Sequence, residues 1–547
     1  MTCRSTLARG LVPGLVVGAL AALVTWPQVL YMGTRVGAHD DPLFSIWRLA
    51  WVAHALATDP ARLLDANIFH PARHTLTFSD AMMLEGALAA PMFWIGASPI
   101  FIYNVLLLGG IAASGLAMFV LARHLLKATG PALVSAAIFT MAPYRIEHFM
   151  HLELQWAMWV PLTLWAIHRA VERRSSRDGL LVGVFLWLQM LSSVYYGVFL
   201  AAIAAVFVLL LLLAYPRDTW QAMPALLAGG VLAVVLAVPY ALPYLQTSRT
   251  VRVREAPEVA VYSATLWSYL ASPSQSWLWG WTSGRWGAAE LRLFPGTVAL
   301  VLSVAAGFSR PRRMVLVYAA LAMVTIELSL GLNGHMYSWL FSQVDALHGL
   351  RSPSRFGIIV CCAIAVLAGF GAQMIAVRFA AFPSRAAGAL AIALTLLIAI
   401  DNSTSGMFLT DLRYEPPNTF NVYKTIRALG PGAILELPIA RLDALPGHEA
   451  LYMFWSTAHW HPIVNGYSGY YPIEFAETVV RTEHFPDDQS LLQLRNTGVR
   501  YIVVHRTFYS DDRYRELLLQ IGGRPELQPH GTYRDPQGEA QLFVLTK

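Results

Sequence analysis

Cysteine and charge are what this chain has least of. Cys3, Cys361 and Cys362 are the three cysteines in 547 residues. They are too few and too poorly spaced for a disulfide framework or a zinc motif. Charged residues make up 13%, against roughly a quarter in a soluble chain. No dense run of Lys and Arg with interleaved aromatics occurs, which argues against a nucleic-acid surface. A P-loop, a dinucleotide fingerprint and a nucleophile elbow are all missing. No internal repeat is visible, which counts against an inverted-repeat transporter.

What remains is apolar. The chain is 56% hydrophobic, with a mean hydropathy of +0.50. These values point to an α-helical, polytopic membrane protein. The net charge of +6 then reads as a bias of cytoplasmic loops. The run 11–31 is long enough to cross a bilayer, which takes about 20 apolar residues. It carries no convincing small-residue cleavage site, so it reads as a retained helix. Arg4 and Arg9 precede it and put the N-terminus inside.

Segment 33–99 reads as a large outer loop. Within it, 42–57 has the spacing of an amphipathic interfacial helix, with Trp47 and Trp51 one turn apart. Segment 81–97 is apolar but short and contains Glu85, so it reads as re-entrant or interfacial. Further spans are expected at 100–122, 131–149, 156–171, 179–196, 197–214, 222–242, 294–308, 314–332, 356–376 and 386–400. That makes about eleven transmembrane helices. The arginines at 123, 169–177, 217, 310–313 and 378–385 then fall in inner loops, and the C-terminus lies outside.

From about residue 403 the composition becomes that of a soluble domain. Helical spacing at 421–429 and 488–494 alternates with apolar strands at 433–437, 499–504 and 541–545. This predicts a small extracytoplasmic α/β domain over 403–547, after a transmembrane domain over 1–402.

Polar residues gather at the predicted outer surface. Asp40 and Asp41 follow the first span, in HDDPLFSIWRLAW. A carboxylate there can take a proton from an acceptor hydroxyl. Equally, Asp41 before Pro42 fits a helix N-cap. In APYRIEHFMHLELQW, Arg145, Glu147, His148, His151 and Glu153 are packed into nine residues, a density that suggests a polar cavity. Glu147 and His151 are candidate metal ligands, so a divalent Mg or Mn stays open although no cofactor is demanded. In LRSPSRF, Arg351 and Arg355 suit an anionic phosphate, with interfacial snorkelling as the bland alternative. Arg145, Arg252 and Arg254 are weaker candidates for the same role. Tyr195 and Tyr196 sit where two spans meet, and Tyr467 and Tyr470 lie in a Gly/Tyr loop; all four are aromatic groups suited to a substrate cavity or a membrane belt.

The stretches HDDPLFSIWRLAWVAHAL, LLDANIFHPARHTLTFSDAM, APYRIEHFMHLELQW and LRSPSRF resemble a bacterial branch of the GT-C integral-membrane glycosyltransferases. The resemblance covers roughly residues 11–400. It implies a polyprenyl-phosphate sugar donor, an inverting displacement and an acidic base in the first outer loop, which falls on Asp40 or Asp41. The chain departs from the protein mannosyltransferase pattern, in which Asp is followed by Glu. The expected protein is a multi-pass glycosyltransferase of the inner (plasma) membrane. Its acceptor would be an extracytoplasmic cell-envelope glycan, glycolipid or protein. The alternative is a non-catalytic protein that exports or scaffolds a lipid-linked glycan. Polar clusters at the surface, and not at the bilayer midplane, favour the enzyme.

Overall fold

The computed structural model describes residues 2–249, 251, 254–378, 384–412, 419–536 and 538–546. Arg252, one of the phosphate candidates, lies outside them. Two compact units are built from interleaved parts of the chain. Unit 1 takes Met1–Gly37, Asn104–Ala241 and Val253–Leu409, and unit 2 takes Ala38–Tyr103, Leu242–Arg252 and Thr410–Lys547.

Unit 1 is helical. At its centre runs Gly357–Arg378, whose first sixteen residues, Gly357 to Ala372, are all buried. It packs against Thr129–Thr140, Thr297–Ala305 and Arg312–Ser329. Gly371 permits the closest of these approaches. A Cβ there would sit 1.9 Å from the carbonyl oxygen of Leu302.

Among the described residues four helices are long and apolar enough to cross a membrane: Pro99–Leu126, Val194–Ala214, Pro216–Thr247 and Pro353–Arg378. The expected count of about eleven is not reached on these terms. Two expected spans show why. The one at 131–149 is interrupted, because the helix Thr129–Thr140 stops before Pro143 and a separate turn, Pro143–Glu147, follows. The residue before a proline is steered out of the helical region. The one at 156–171 becomes Trp159–Arg173, fifteen residues, which rise only about 22 Å.

Unit 2 is a helix pair joined to a small sheet. The helix Asp40–Thr58 packs on Met83–Trp94 and on Glu449–Ser456. It buries an unbroken run from Phe44 to Ala53, so it is a core helix of the unit and not one with a single covered face. The indole N–H of Trp47 reaches Asn67 Oδ1 at 3.2 Å, and that of Trp51 reaches the Leu63 carbonyl at 2.8 Å. The buried Arg48 donates to the Asp80 carbonyl and to Ser45 Oγ. Segment 81–97 supplies Met83–Trp94, only twelve residues, with Glu85 fully buried.

The sheet contains β1 (Ala433–Leu437), β2 (Val499–His505), β3 (Leu527–Asp535) and β4 (Gly538–Leu545), in the order β1-β2-β4-β3. β1 and β2 are parallel, and β4 runs antiparallel to both β2 and β3. Leu435, Leu494, Ile502, Val504 and Phe543 form its apolar core. β1, β2 and β4 match the apolar runs expected from sequence. β3 was not expected: it is an edge strand with mostly exposed side chains, so it carries no apolar signal.

Candidate functional site

Each unit holds one polar constellation. In unit 2 it lies at the start of Asp40–Thr58. The cap is His39, whose Nδ1 accepts the Asp41 backbone N–H at 3.2 Å. The alternative of Asp41 as the N-cap is therefore corrected: Asp40 and Asp41 are the first two helical residues. Carboxylates in a first turn face the positive end of the helix dipole, which favours their ionised form. Asp41 is held. Its Oδ1 accepts the Tyr467 hydroxyl at 2.8 Å, and its Oδ2 is 3.2 Å from His39 Nδ1.

Asp40 differs. It is half-buried and makes no hydrogen bond among the described residues; His39, Asp41 and His448 supply its local charge. Burial first, and then Asp41, raise its carboxyl above the usual aspartate value against the pull of His39 and His448.

Tyr467 is fixed from below. Its ring meets Phe44 edge-on at 5.4 Å, and its backbone N–H points to Met453 Sδ at 3.0 Å. The preceding Gly466 donates its N–H to Glu449 Oε2, while Glu449 Oε1 accepts the N–H of Ala440. Glu449 is fully buried, and burial pushes its carboxyl up to about 7 against those hydrogen bonds. Tyr470 is half-buried in the same loop.

In unit 1 the polar residues expected from sequence are brought together, around one that was not. Glu290 follows the Trp-rich segment and has a left-handed φ of +62°. Its Oε2 is 3.2 Å from Arg355 Nη2. Burial alone would raise this carboxyl, but Arg355 foremost, then His151, His148 and Arg351, bring it down to about 2. Arg355 lies over the Tyr195 ring at 4.8 Å, and Arg351 lies over Tyr262 at the same distance. The Tyr195 hydroxyl accepts the backbone N–H of Arg351 at 3.0 Å. Tyr196 donates to the Tyr144 hydroxyl at 3.0 Å. The fully buried His148 ring packs 4.4 Å from Tyr144 and 5.8 Å from His151. Glu153 is buried and adds its charge to the field around Arg355.

Three of the expected roles change on these contacts. Arg145 gives Nε to the Phe139 carbonyl and Nη1 to Gln155, while Gln155 returns its amide to the Arg145 and His148 carbonyls. That is a brace for the turn after Thr140, not a phosphate hand. Arg355 is buried with Glu290, which removes the snorkelling alternative for it. Glu147 takes Arg292 on both oxygens at 3.2 Å and the Glu290 N–H at 2.6 Å, so its carboxylate is engaged by an ion pair. Among the described residues no group of three or more His, Cys, Asp or Glu could hold a metal ion, and the donor set does not fit a resident divalent cation. Arg254 pairs with Glu258.

Arg351 stands apart: its guanidinium has a ring face beneath it and makes no hydrogen bond or ion pair among the described residues. Asp401 and Glu327 hold the backbone at helix starts. Asp401 accepts from Trp279 Nε1 and the Val298 N–H, and Glu327 accepts from the N–H of Met336.

No family model matches the chain, and no curated protein matches it in sequence. Solved structures do match in fold. The arabinofuranosyltransferase AftD from Mycobacteria aligns over 100% of this chain with a TM-score of 0.63 at 14% identity. The oligosaccharyltransferase AglB from Archaeoglobus fulgidus aligns over 98% with a TM-score of 0.51 at 12% identity. This chain spans 40% of the AftD chain and 74% of the AglB chain. Its structural neighbours are GT-C glycosyltransferases, and the fold it shares with them is the GT-C fold.

Proposed function

We propose that the protein is an inverting glycosyltransferase that moves a sugar from a polyprenyl-phosphate donor to an extracytoplasmic acceptor. The single observation that carries this is the acidic pair at the head of Asp40–Thr58. One carboxylate, Asp41, is tied to Tyr467, and the other, Asp40, makes no hydrogen bond among the described residues and is made more basic by burial. A general base needs a free lone pair and a raised pKa. Asp40 takes the proton from the acceptor hydroxyl as that oxygen attacks the anomeric carbon. The bond from carbon to the phosphate oxygen breaks, and the lipid phosphate leaves as a stable anion, so no covalent enzyme intermediate is required. Asp41 and Tyr467 orient the pair.

The phosphate role goes to Arg351, whose guanidinium lies over the Tyr262 ring and makes no hydrogen bond or ion pair among the described residues. Arg355 supports it in charge but is already paired with Glu290. The GT-C neighbours support the reaction class. AglB was solved in complex with an inhibitory peptide and a dolichol-phosphate, and AftD is an arabinofuranosyltransferase. No step is routed through a metal.

The proposed setting is the plasma membrane, crossed several times. The N-terminus is cytoplasmic, and a domain beginning near residue 403 is extracytoplasmic. A reporter active only outside the cytoplasm should be active after the C-terminal domain and inactive at Arg174. The reverse pattern overturns the orientation. The reaction itself is tested with purified protein, a panel of radiolabelled polyprenyl-phosphate sugars and cell-envelope acceptors. Transfer from at least one donor, with inverted anomeric configuration, is expected. Donor binding without transfer in any pairing would favour the non-catalytic alternative.

A further inference from the structure

Unit 2 contains a cavity that neither the acidic pair nor the sheet uses. It has a volume of about 320 Å³ and is walled by the second half of Asp40–Thr58, by the segment 59–72 and by Trp460. That volume is near the lower end for small-molecule pockets. Its wall is aromatic. The His54 ring stacks on the Trp460 indole at 4.2 Å and 11°, and Trp51 lies 5.9 Å from the same indole. Its rim is polar, with Asp59, Arg62 and Asp65. Asp65 is oriented by accepting the His74 backbone N–H at 2.8 Å.

Trp460 has a φ of +58°, and Phe69, next to the lining residue His70, has +56°. A bulky residue in the left-handed region is a conformational outlier. Such strain collects at ligand clamps. Here it turns an indole toward a cavity.

We infer that this cavity is a binding subsite for one ring of an uncharged saccharide. The apolar CH face of a sugar ring stacks on flat aromatic surfaces, and its hydroxyls need acceptors at the edge. The paired His54 and Trp460 rings supply the surface, and Asp65, together with Asp59 where it stands 3.7 Å from Arg62, supplies acceptors. Two carboxylates against one guanidinium give the rim a negative balance, which disfavours a phosphorylated sugar. Burial lowers the His54 pKa, so its ring is neutral at physiological pH and adds no charge. Assigning the ring to the acceptor rests on the glycosyltransferase reading above; the binding of a ring does not.

The test uses the full-length protein in lipid nanodiscs without donor. Mannotriose, galactotriose, chitotriose and arabinofuranotriose are presented as neutral probes, with glucose 1-phosphate as the charged one. Binding is read by saturation-transfer NMR and tryptophan fluorescence. At least one neutral trisaccharide should bind, and Trp460→Ala should weaken it by about tenfold. Because Trp460→Ala removes a packed indole, Ala72→Trp serves as the second variant. It fills the cavity from the rim and should block the same probe while the melting temperature holds. Absence of binding by every neutral probe overturns the subsite, and so does binding unchanged in both variants. Tighter binding of glucose 1-phosphate than of every neutral probe overturns the uncharged assignment. Sugar transfer without ring binding would sink this inference alone, and ring binding without transfer would sink the enzyme reading alone.

Discussion

The two units treat charge in opposite ways. In unit 1 two buried acids are locked. Glu147 is held by Arg292 and a backbone N–H, and Glu290 is held by Arg355 inside a ring of histidines and tyrosines. In unit 2 the acid at the head of the helix is left half-open, with burial raising its pKa and no hydrogen bond to it among the described residues. Buried pairs contribute geometry and are costly to break, whereas a carboxylate whose lone pairs are not taken up by hydrogen bonds is poised for proton transfer. On the function proposed above, unit 1 would do the holding and unit 2 the chemistry.

The largest effect expected from breaking this contrast is on rate. Asp40→Asn should lower the transfer rate by about 10²–10⁴-fold with the fold intact, while Asp41→Asn, which removes an orienting group, should cost less. A larger loss in Asp41→Asn would exchange the two roles.

In unit 1 the matching lesion should appear as instability. Glu290→Ala strips the partner from a buried guanidinium and should cost about 3–5 kcal/mol, read as a lower melting temperature in detergent.

Next comes pH. The folded pKa of Glu449 is raised to about 7, so between the ordinary glutamate value and pH 7 the folded state binds more protons than the unfolded one. Stability then falls as pH rises through that window, by about 3 kcal/mol in all. Chemical denaturation across pH 4–8 measures this slope, and Glu449→Gln should flatten it. A slope unchanged in the variant assigns it to another group.

The smallest effect is expected at the tethers. Tyr467→Phe removes a hydrogen bond to a carboxylate and should lower kcat about tenfold with little change in KM, a loss of about 1.5 kcal/mol. Arg351→Lys should raise KM for the lipid-phosphate donor, since an ammonium does not reproduce the guanidinium fork. Unchanged KM would return Arg351 to membrane anchoring.

Much of this was readable in advance, and the failures have physical causes. The acidic pair, the paired arginines and three of the four strands stand out because each is a local pattern. Glu290 is not local: its partners Arg355 and Glu147 are 65 and 143 residues away, and a single Glu after a Trp-rich loop carries no period or motif. Glu449 was missed for the same reason, since burial decides its chemistry. Asp40–Thr58 was recognised as a helix but assigned to an interface, because the layers that cover it, Met83–Trp94 and Glu449–Ser456, come from distant sequence. The interrupted span at 131–149 did have a signal in Ala142-Pro143.

The most direct test of the division between holding and chemistry is to measure donor binding and sugar transfer side by side in Asp40→Asn. Donor affinity equal to that of the unaltered protein, with transfer reduced by at least about 10²-fold, is the predicted result. Transfer at the full rate, or a loss of donor affinity as large as the loss of transfer, would contradict it.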